Sequence, residues 1–311
     1  VSALFFTVSC ETDFDTDVSG IQVTSGQANF TKFVSVGNSL TSGYRDGALY
    51  IDGQNESFPS MMAQQMALAG GGAFKQPLMA DNLGGIKAVG LLDKLELKVV
   101  NGSLAPVRNE DPTKIMGTTT LANIFSAGPY NNMGVPGAKS FHLGLAGYGN
   151  AAGLAQGLAN PYFVRFASGP TASVIGDAVS QAPTFFSLWI GNNDVLSYAT
   201  SGGAGIDQTG NMNPASYGGN DITDPGVVAS VISGYVTALT AGGAKGVIAN
   251  IPNVTSIPYF TTVPAMPIPG APATVAALNA GYAAYNAGLG QAKAGGLITD
   301  AEYKQRTIKF T

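Results

Sequence analysis

Three short polar segments carry the residue types that an acyl-transfer reaction needs. They are Gly37-Asn38-Ser39-Leu40-Thr41, Asn132-Met133-Gly134-Val135-Pro136-Gly137-Ala138 and Gly191-Asn192-Asn193-Asp194. The Ser39 hydroxyl could attack an acyl carbon as a nucleophile. A glycine amide and an asparagine carboxamide could then donate hydrogen bonds to the oxyanion that develops.

Each segment taken alone also fits an ordinary structural role. Asn38-Ser39 after Gly37 is typical of a turn followed by a helix N-cap. Glycine and proline in the second segment could simply form a turn, and the third segment could be a polar turn that closes a strand. The chemical interpretation therefore depends on the three segments occurring together.

The elements that would position these segments are predicted from hydrophobic patterning. Apolar runs predict strands at 33–36, 184–190 and 246–251, and a further strand beginning at 307–310. Capping residues and helical spacing of apolar residues predict helices at 59–69, 171–181, 225–241 and 275–289. Strands that alternate with helices indicate a doubly wound α/β fold with a mostly parallel sheet, because parallel neighbours need crossover connections.

Long segments rich in glycine, proline and asparagine lie between these elements, at 73–130, 141–170 and 197–223. They exceed the usual length of a connection. In open α/β sheets the ligand crevice lies at the carboxyl ends of the strands, so we expect these insertions to wall or cover a pocket.

In this order, the three segments resemble the signature blocks of bacterial SGNH hydrolases, the GDSL-type serine ester hydrolases. The resemblance extends from about residue 31 to the end of the chain, and Asn250-Ile251-Pro252 looks like the end of the family's fourth strand. It implies a flavodoxin-like three-layer α/β/α fold with long loop insertions. It also implies that 31–311 is an incomplete hydrolase domain, which the N-terminal pattern precedes with a signal-peptide tail at 1–10 and a polar linker at 11–30.

The resemblance assigns roles by position. Ser39 would be the nucleophile, and its own N–H, the Gly137 N–H and the Asn193 side chain would form the oxyanion hole. Gly37 would permit the tight turn. Asn38 and Asp194 would support the site.

Two departures from the family pattern stand out. Asn38 occupies the position where the family carries aspartate, which removes a charge beside Ser39. The final D-x-x-H block, which supplies the base and its orienting carboxylate, has no counterpart, so we expect it beyond residue 311. The C-terminal part of the fold is therefore expected to be missing. Because a serine hydroxyl is a poor nucleophile without a base, we expect the 311-residue chain alone to be inactive.

His142 is the only histidine. Its position shortly after the glycine segment favours an ordinary loop residue that helps to shape the site, because the family's base arrives from elsewhere. It becomes the candidate base only if the chain itself shows esterase activity that depends on Ser39.

The favoured function is a lipase- or esterase-like carboxylic-ester hydrolase. Within the enzyme class the alternative substrate is an acetyl group on a polysaccharide. Outside it, Asn38 and the missing base favour a surface lipoprotein that keeps the fold as an inactive glycan-binding or structural module. A D-x-x-H sequence in the reading frame beyond Thr311 would discriminate between the enzyme and the inactive module.

Composition excludes other classes. The net charge is -4 and the 15 lysines and arginines are scattered, so no basic stripe indicates nucleic-acid binding. One cysteine and one histidine support neither a disulfide nor a zinc site. The oxygen-rich loop 202–226 lacks the spacing of a calcium-binding EF-hand and is better interpreted as a solvated turn region. No phosphate loop follows the first strand, so we expect neither metal nor cofactor.

The N-terminus resembles the tail of a lipoprotein signal peptide. Val1–Ser9 is mostly apolar, Cys10 follows small residues, and a polar segment extends from 11 to 30. A lipid on Cys10 would hold an exported protein on a membrane, in the outer membrane or periplasm of a Gram-negative bacterium. The alternative is an inert thiol near a buried or disordered chain end.

Overall fold

A parallel β-sheet forms the centre of the larger part of the chain. The computed structural model describes residues 23–108, 117–262 and 271–310. The strands are β1 (Phe33–Gly37), β2 (Leu95–Val100), β3 (Ser103–Arg108), β4 (Asn132–Gly134), β5 (Phe185–Trp189) and β6 (Lys245–Ile248). Four of them pair in the order β4-β1-β5-β6, and every pairing in this sheet is parallel. The predicted α/β class with a mostly parallel sheet is confirmed.

The chain divides into two compact units, Val1–Val254 and Thr255–Thr311. The described helices of the first unit are α1 (Ser39–Ser42), α2 (Ile51–Asn55), α3 (Phe58–Leu68), α4 (Pro161–Val164), α5 (Val174–Ser180), α6 (Asn193–Thr200) and α7 (Pro225–Thr240). Those of the second unit are α8 (Pro258–Thr261), α9 (Pro272–Gly281), α10 (Ala283–Ala294) and α11 (Asp300–Arg306).

One face of the sheet is apolar. Val34 and Val36 of β1 lie in register with Phe186 and Leu188 of β5, and all four side chains are buried. Burying a side chain of this size stabilises the fold by about 1.5–3 kcal/mol. Helices α5 and α7 cover this face, and their buried contributions are Val174, Ala178, Tyr235 and Leu239.

The opposite face combines polar and aromatic residues. The hydroxyls of Ser35 and Ser187 hydrogen-bond across β1 and β5 at 2.6 Å, which satisfies two buried polar groups. Phe58 of α3 packs edge-on against Trp189 at 5.6 Å between ring centroids. Helices therefore flank both faces, an arrangement compatible with a three-layer α/β/α fold.

The helices begin where the sequence provides caps. The Asp224 carboxylate accepts hydrogen bonds from the N–H groups of Gly226 and Val227 at 2.7 and 3.0 Å, and Pro225 occupies the first turn of α7. Ser57 caps α3 in the same manner. The helices predicted at 59–69, 171–181 and 225–241 are confirmed, with small shifts at their ends.

The long segment 73–130 contains an element that the sequence prediction missed. Strands β2 and β3 form an antiparallel hairpin joined at Asn101-Gly102. Both turn residues have positive φ, 52° and 82°, as a type I′ turn requires. The Asn-Gly dipeptide between apolar runs was the available signal. Part of this predicted loop is therefore a β-ribbon.

Two further predictions, both in the second unit, are wrong. The helix predicted over 275–289 is two helices, α9 and α10, which meet at Tyr282. The strand predicted at 307–310 forms no sheet among the described residues. Instead the Asn286 carboxamide bonds both the N–H and the C=O of Ile308, at 3.0 and 2.7 Å, and Asn279 does the same for Phe310, at 2.9 and 3.0 Å. Two side-chain amides thus take the place of a neighbouring strand.

No helix among the described residues is long and apolar enough to cross a membrane. The predicted signal tail at 1–10, with Cys10, and the first part of the linker lie outside the described residues. The lipid anchor stays a prediction.

Candidate functional site

The strand order creates a crevice between β1 and β5. Starting from β1, the chain first adds β4 on one side and then β5 and β6 on the other. Ligands in open α/β sheets bind where the order reverses in this way, outside the carboxyl ends of the strands. The Ser39 and Asn193 segments follow directly at those ends of β1 and β5.

Asn38 joins the two sides of this crevice. Its Oδ1 accepts a hydrogen bond from the Leu40 N–H at 3.1 Å, which caps α1, and its Nδ2 donates to Asn192 Oδ1 at 3.0 Å. The Asn38 side chain is fully buried, whereas Ser39 beside it is only partly buried. The carboxamide thus holds the Ser39 backbone next to the segment that contains Asn193.

Gly37 is required by the close packing at the end of β1. A methyl group at this position would overlap the Thr41 hydroxyl and the Trp189 carbonyl oxygen. Only a residue without Cβ fits there, and the tight-turn role of Gly37 stays a prediction.

The glycine segment extends from β4 along the same edge. The Val135 N–H donates to the Gly37 carbonyl at 2.9 Å, which ties this segment to β1. Gly137 is exposed, with a φ of 80° that favours glycine. Asn193 Nδ2 donates to the Ala138 carbonyl at 2.8 Å, and the second Nδ2 proton can serve another acceptor. The second and third predicted segments are therefore in direct contact.

Asp194 anchors the residues that follow Gly137. Its carboxylate accepts two hydrogen bonds from Ser140, from the N–H at 2.8 Å and from the hydroxyl at 2.7 Å. Burial raises the pKa of Asp194, although the Ser140 bonds and the nearby Lys139 cation act in the opposite direction. The supporting role of Asp194 stays a prediction, and sequence reasoning missed Ser140 as its partner.

His142 lies in a short 3-10 helix, Ser140–Gly144, that this anchor holds. Its Nδ1 accepts a hydrogen bond from the Lys139 backbone N–H at 3.1 Å, and its ring stacks on Tyr148 at 4.9 Å. Burial lowers the pKa of His142 to about 4, and the positive charge of Lys139 contributes to the shift. The imidazole is therefore neutral at physiological pH.

A cleft of about 450 Å³ opens beside Gly137. Its walls come largely from two of the long insertions, 141–170 and 197–223, as predicted for insertions at this edge of the sheet. Aromatic and aliphatic side chains dominate the lining, and they include Phe141, Tyr148, Leu158 and Tyr217. The volume falls within the range of small-molecule sites.

The oxygen-rich loop 202–226 directs its carboxylates at backbone amides. Asp221 accepts from the N–H groups of Ile206 and Gly218, and Asp224 accepts from the Gly210 N–H as well as from α7. The pKa of Asp221 is lowered chiefly by a hydrogen bond from the Gln208 side chain and further by these backbone bonds, and backbone bonds lower the pKa of Asp224. Within the described ranges, no group of three or more His, Cys, Asp and Glu side chains could hold a metal ion.

The hydrogen bonds bring the three predicted segments together at one end of the sheet. In the part of the chain that the structure describes, Ser39 Oγ makes no hydrogen bond to an imidazole or a carboxylate. Sequence reasoning also missed Asn160, which donates to the Pro136 carbonyl at 2.8 Å and so supports the glycine segment from a distant insertion.

Comparison with protein-family models, with curated proteins and with solved structures finds no match for this chain.

Proposed function

We propose that this chain is a carboxylic-ester hydrolase with Ser39 as its nucleophile. One observation carries the proposal. Asn38 bonds to Asn192, and Asn193 bonds to Ala138, so a hydroxyl, a glycine amide and a carboxamide belong to segments that meet at the switch point of the sheet. The resemblance to SGNH hydrolases rests on the same three segments.

In the proposed reaction Ser39 Oγ attacks the ester carbonyl carbon and gives its proton to a base. The tetrahedral oxyanion accepts hydrogen bonds from the Ser39 and Gly137 N–H groups and from Asn193 Nδ2. The bond to the alcohol oxygen then breaks, and the alcohol leaves with the proton. Water attacks the acyl-enzyme and releases the acid. Each oxyanion donor is worth about 3 kcal/mol in the transition state.

The resemblance implies a base from a D-x-x-H block, and the 311-residue sequence contains no such block. No described carboxylate or imidazole bonds to Ser39, so the 311-residue chain alone is expected to be inactive. His142 is a poor base because its Nδ1 is occupied and burial lowers its pKa to about 4.

The test uses the protein as its gene encodes it, including whatever follows Thr311. Turnover of p-nitrophenyl acetate and p-nitrophenyl octanoate is compared in the wild type, in Ser39→Ala and in Ser60→Ala, a matched control on α3. We expect Ser39→Ala to lower kcat by at least about 10³-fold and Ser60→Ala to leave it unchanged. Turnover that survives in Ser39→Ala would overturn the proposal.

A second candidate is an inactive module that keeps this fold to bind glycans or to build a surface. The bonding of Asn38 favours it, because both ends of its carboxamide serve structural hydrogen bonds and the position carries no charge. Absence of turnover in the complete protein, together with binding to an oligosaccharide that Ser39→Ala leaves unaffected, would support this candidate.

A further inference from the structure

The cleft beside Gly137 contains an imidazole N–H whose partner is not supplied by the described residues. His142 Nδ1 accepts from the Lys139 N–H at 3.1 Å and lies 3.5 Å from the Tyr148 hydroxyl. An imidazole whose Nδ1 is an acceptor carries its proton on Nε2. Nε2 makes no hydrogen bond within the described ranges, and the residue lines the cleft.

The ring is held in this orientation from several sides. It stacks on Tyr148 at 4.9 Å and meets the edge of Phe141 at 4.4 Å. The Tyr148 hydroxyl accepts a hydrogen bond from Asn160 Nδ2 at 3.3 Å, so its own proton is free to face His142. The Nε2–H edge is therefore preorganised, and a ligand acceptor can use it with little further loss of side-chain entropy.

The remaining lining offers few partners to a charged or highly hydroxylated ligand. It contains no Asp, Glu, Asn or Gln, the side chains that typically satisfy several sugar hydroxyls. Lys139 is 3% exposed and its amine donates to the Asp221 carbonyl at 2.6 Å. The Tyr217 hydroxyl donates to the Asn211 carbonyl. The cleft therefore offers mainly aromatic and aliphatic surface, which includes Phe141, Tyr148 and Leu158.

We propose that this cleft binds an uncharged apolar group that carries one hydrogen-bond acceptor, and that the Nε2–H of His142 orients that acceptor. The inference deepens the proposed function, because the assignment of the bound group as part of a substrate rests on the hydrolase proposal. It identifies the substrate as an ester with an apolar arm, and not as an acetylated polysaccharide. His142 is then a binding and positioning residue.

The test measures direct binding, which does not depend on catalysis. Two neutral naphthalenes of nearly equal shape serve as probes, 2-acetonaphthone with a carbonyl acceptor and 2-isopropenylnaphthalene without one. Dissociation constants are determined by fluorescence titration of the 311-residue chain at pH 7. We expect both compounds to bind. His142→Phe keeps an aromatic ring on Tyr148 but removes the donor, so it should weaken ketone binding about tenfold and change hydrocarbon binding less than twofold.

Two substitutions, one inside the cleft and one in a separate cavity, test whether the probes bind in the cleft. Ser197 of α6 lines the cleft, and Ser197→Phe should weaken both probes by at least tenfold. Ala238 of α7 lines a separate cavity at the opposite end of the sheet, and Ala238→Phe should leave both unchanged. Unchanged hydrocarbon affinity in His142→Phe also shows that the cleft still forms.

The outcomes separate this inference from the proposed function. The inference would be overturned if neither probe binds, or if His142→Phe weakens the affinity for both probes equally. It would also be overturned if Ser197→Phe leaves both affinities unchanged. Turnover that survives in Ser39→Ala would overturn the hydrolase alone and leave the binding site standing. Loss of turnover in Ser39→Ala without probe binding would leave the hydrolase standing and overturn the site.

Discussion

Asn38 and Asn192, 154 positions apart in the chain, share a hydrogen bond of 3.0 Å from Nδ2 to Oδ1 across the point where the strand order of the sheet reverses. The bond connects the end of β1 to the end of β5 through side chains that the protein buries wholly or in part. The residue at position 38 therefore acts on the site as a hydrogen-bond donor.

Asn38→Asp should destabilise the protein even though aspartate is the residue that SGNH hydrolases carry here. The variant keeps a carboxylate oxygen that accepts from the Leu40 N–H. Its other oxygen replaces Nδ2 and faces Asn192 Oδ1, so two acceptors repel each other. We expect a loss of about 2 kcal/mol in the free energy of unfolding at pH 7, measured by urea denaturation. The loss should shrink at low pH, where protonation restores a donor.

The matched change Asn192→Asp keeps the acceptor that Asn38 needs, so its cost should stay below about 1 kcal/mol. Equal stability of Asn38→Asp and the wild type would contradict the prediction and would mean that the Asn192 carboxamide turns over to present its Nδ2.

Asp194→Asn should destabilise the protein more than Ser140→Ala. The carboxylate accepts two charge-assisted bonds from Ser140, whereas a carboxamide can accept from the Ser140 N–H and donate its NH₂ to the hydroxyl, so both bonds become neutral and weaker. We expect about 2–3 kcal/mol for Asp194→Asn and about 1 kcal/mol for Ser140→Ala. In the double variant the two losses should not add, because both changes break the same contact. Additive losses by chemical denaturation would argue against the pairing.

Stability should fall on acidification, with His142 as the main cause between pH 6.5 and 4. Its pKa in the folded protein is lowered to about 4, so the unfolded chain binds more protons in this window and stability rises with pH. The raised pKa of Asp194 acts in the opposite sense. A shift of this size corresponds to about 3 kcal/mol.

His142→Phe should therefore flatten the dependence of unfolding free energy on pH between 6.5 and 4, whatever its effect on absolute stability. The measurement is a series of urea titrations at half-unit intervals of pH. An unchanged slope in the variant would show that other groups cause the acid sensitivity.

Asn193→Asp should lower kcat in the complete enzyme by about 10²–10³-fold with little change in KM, if the proposed oxyanion hole is correct. The substitution preserves size but removes the donor. Circular dichroism and thermal unfolding of the variant check that the fold survives the loss of the bond to Ala138. A variant with normal kcat would exclude Asn193 from the site.

The sequence predicts those elements of the fold that local residue patterns determine. The run 184–190 reads as a strand because it is continuously apolar, and α7 begins where Asp224-Pro225 supplies a cap and a fixed φ. Parallel strands place their carboxyl ends at one edge, so the sequence predicted the Ser39 and Asn193 segments at the same edge of the sheet but not the strand order that makes β1 and β5 neighbours.

The contacts that complete the site could not be predicted in this way. Ser140 meets Asp194 across 54 positions, and Asn160 reaches Pro136 from an insertion without strong periodicity. Such pairings depend on the path of the loops, for which a single sequence carries no repeating signal. The hairpin of β2 and β3 is different, since alternating apolar residues around Asn101-Gly102 contained the information.

Asn286 and Asn279 of the second unit protect an extended segment from pairing with another chain. An extended segment with bare amides and carbonyls is a template on which another molecule can add a strand and start a fibril. At Ile308 and Phe310 the groups along one rim are already occupied by Asn286 and Asn279. Two carboxamides thereby satisfy the backbone groups of an exposed edge that many proteins protect with a lysine, a proline or a β-bulge.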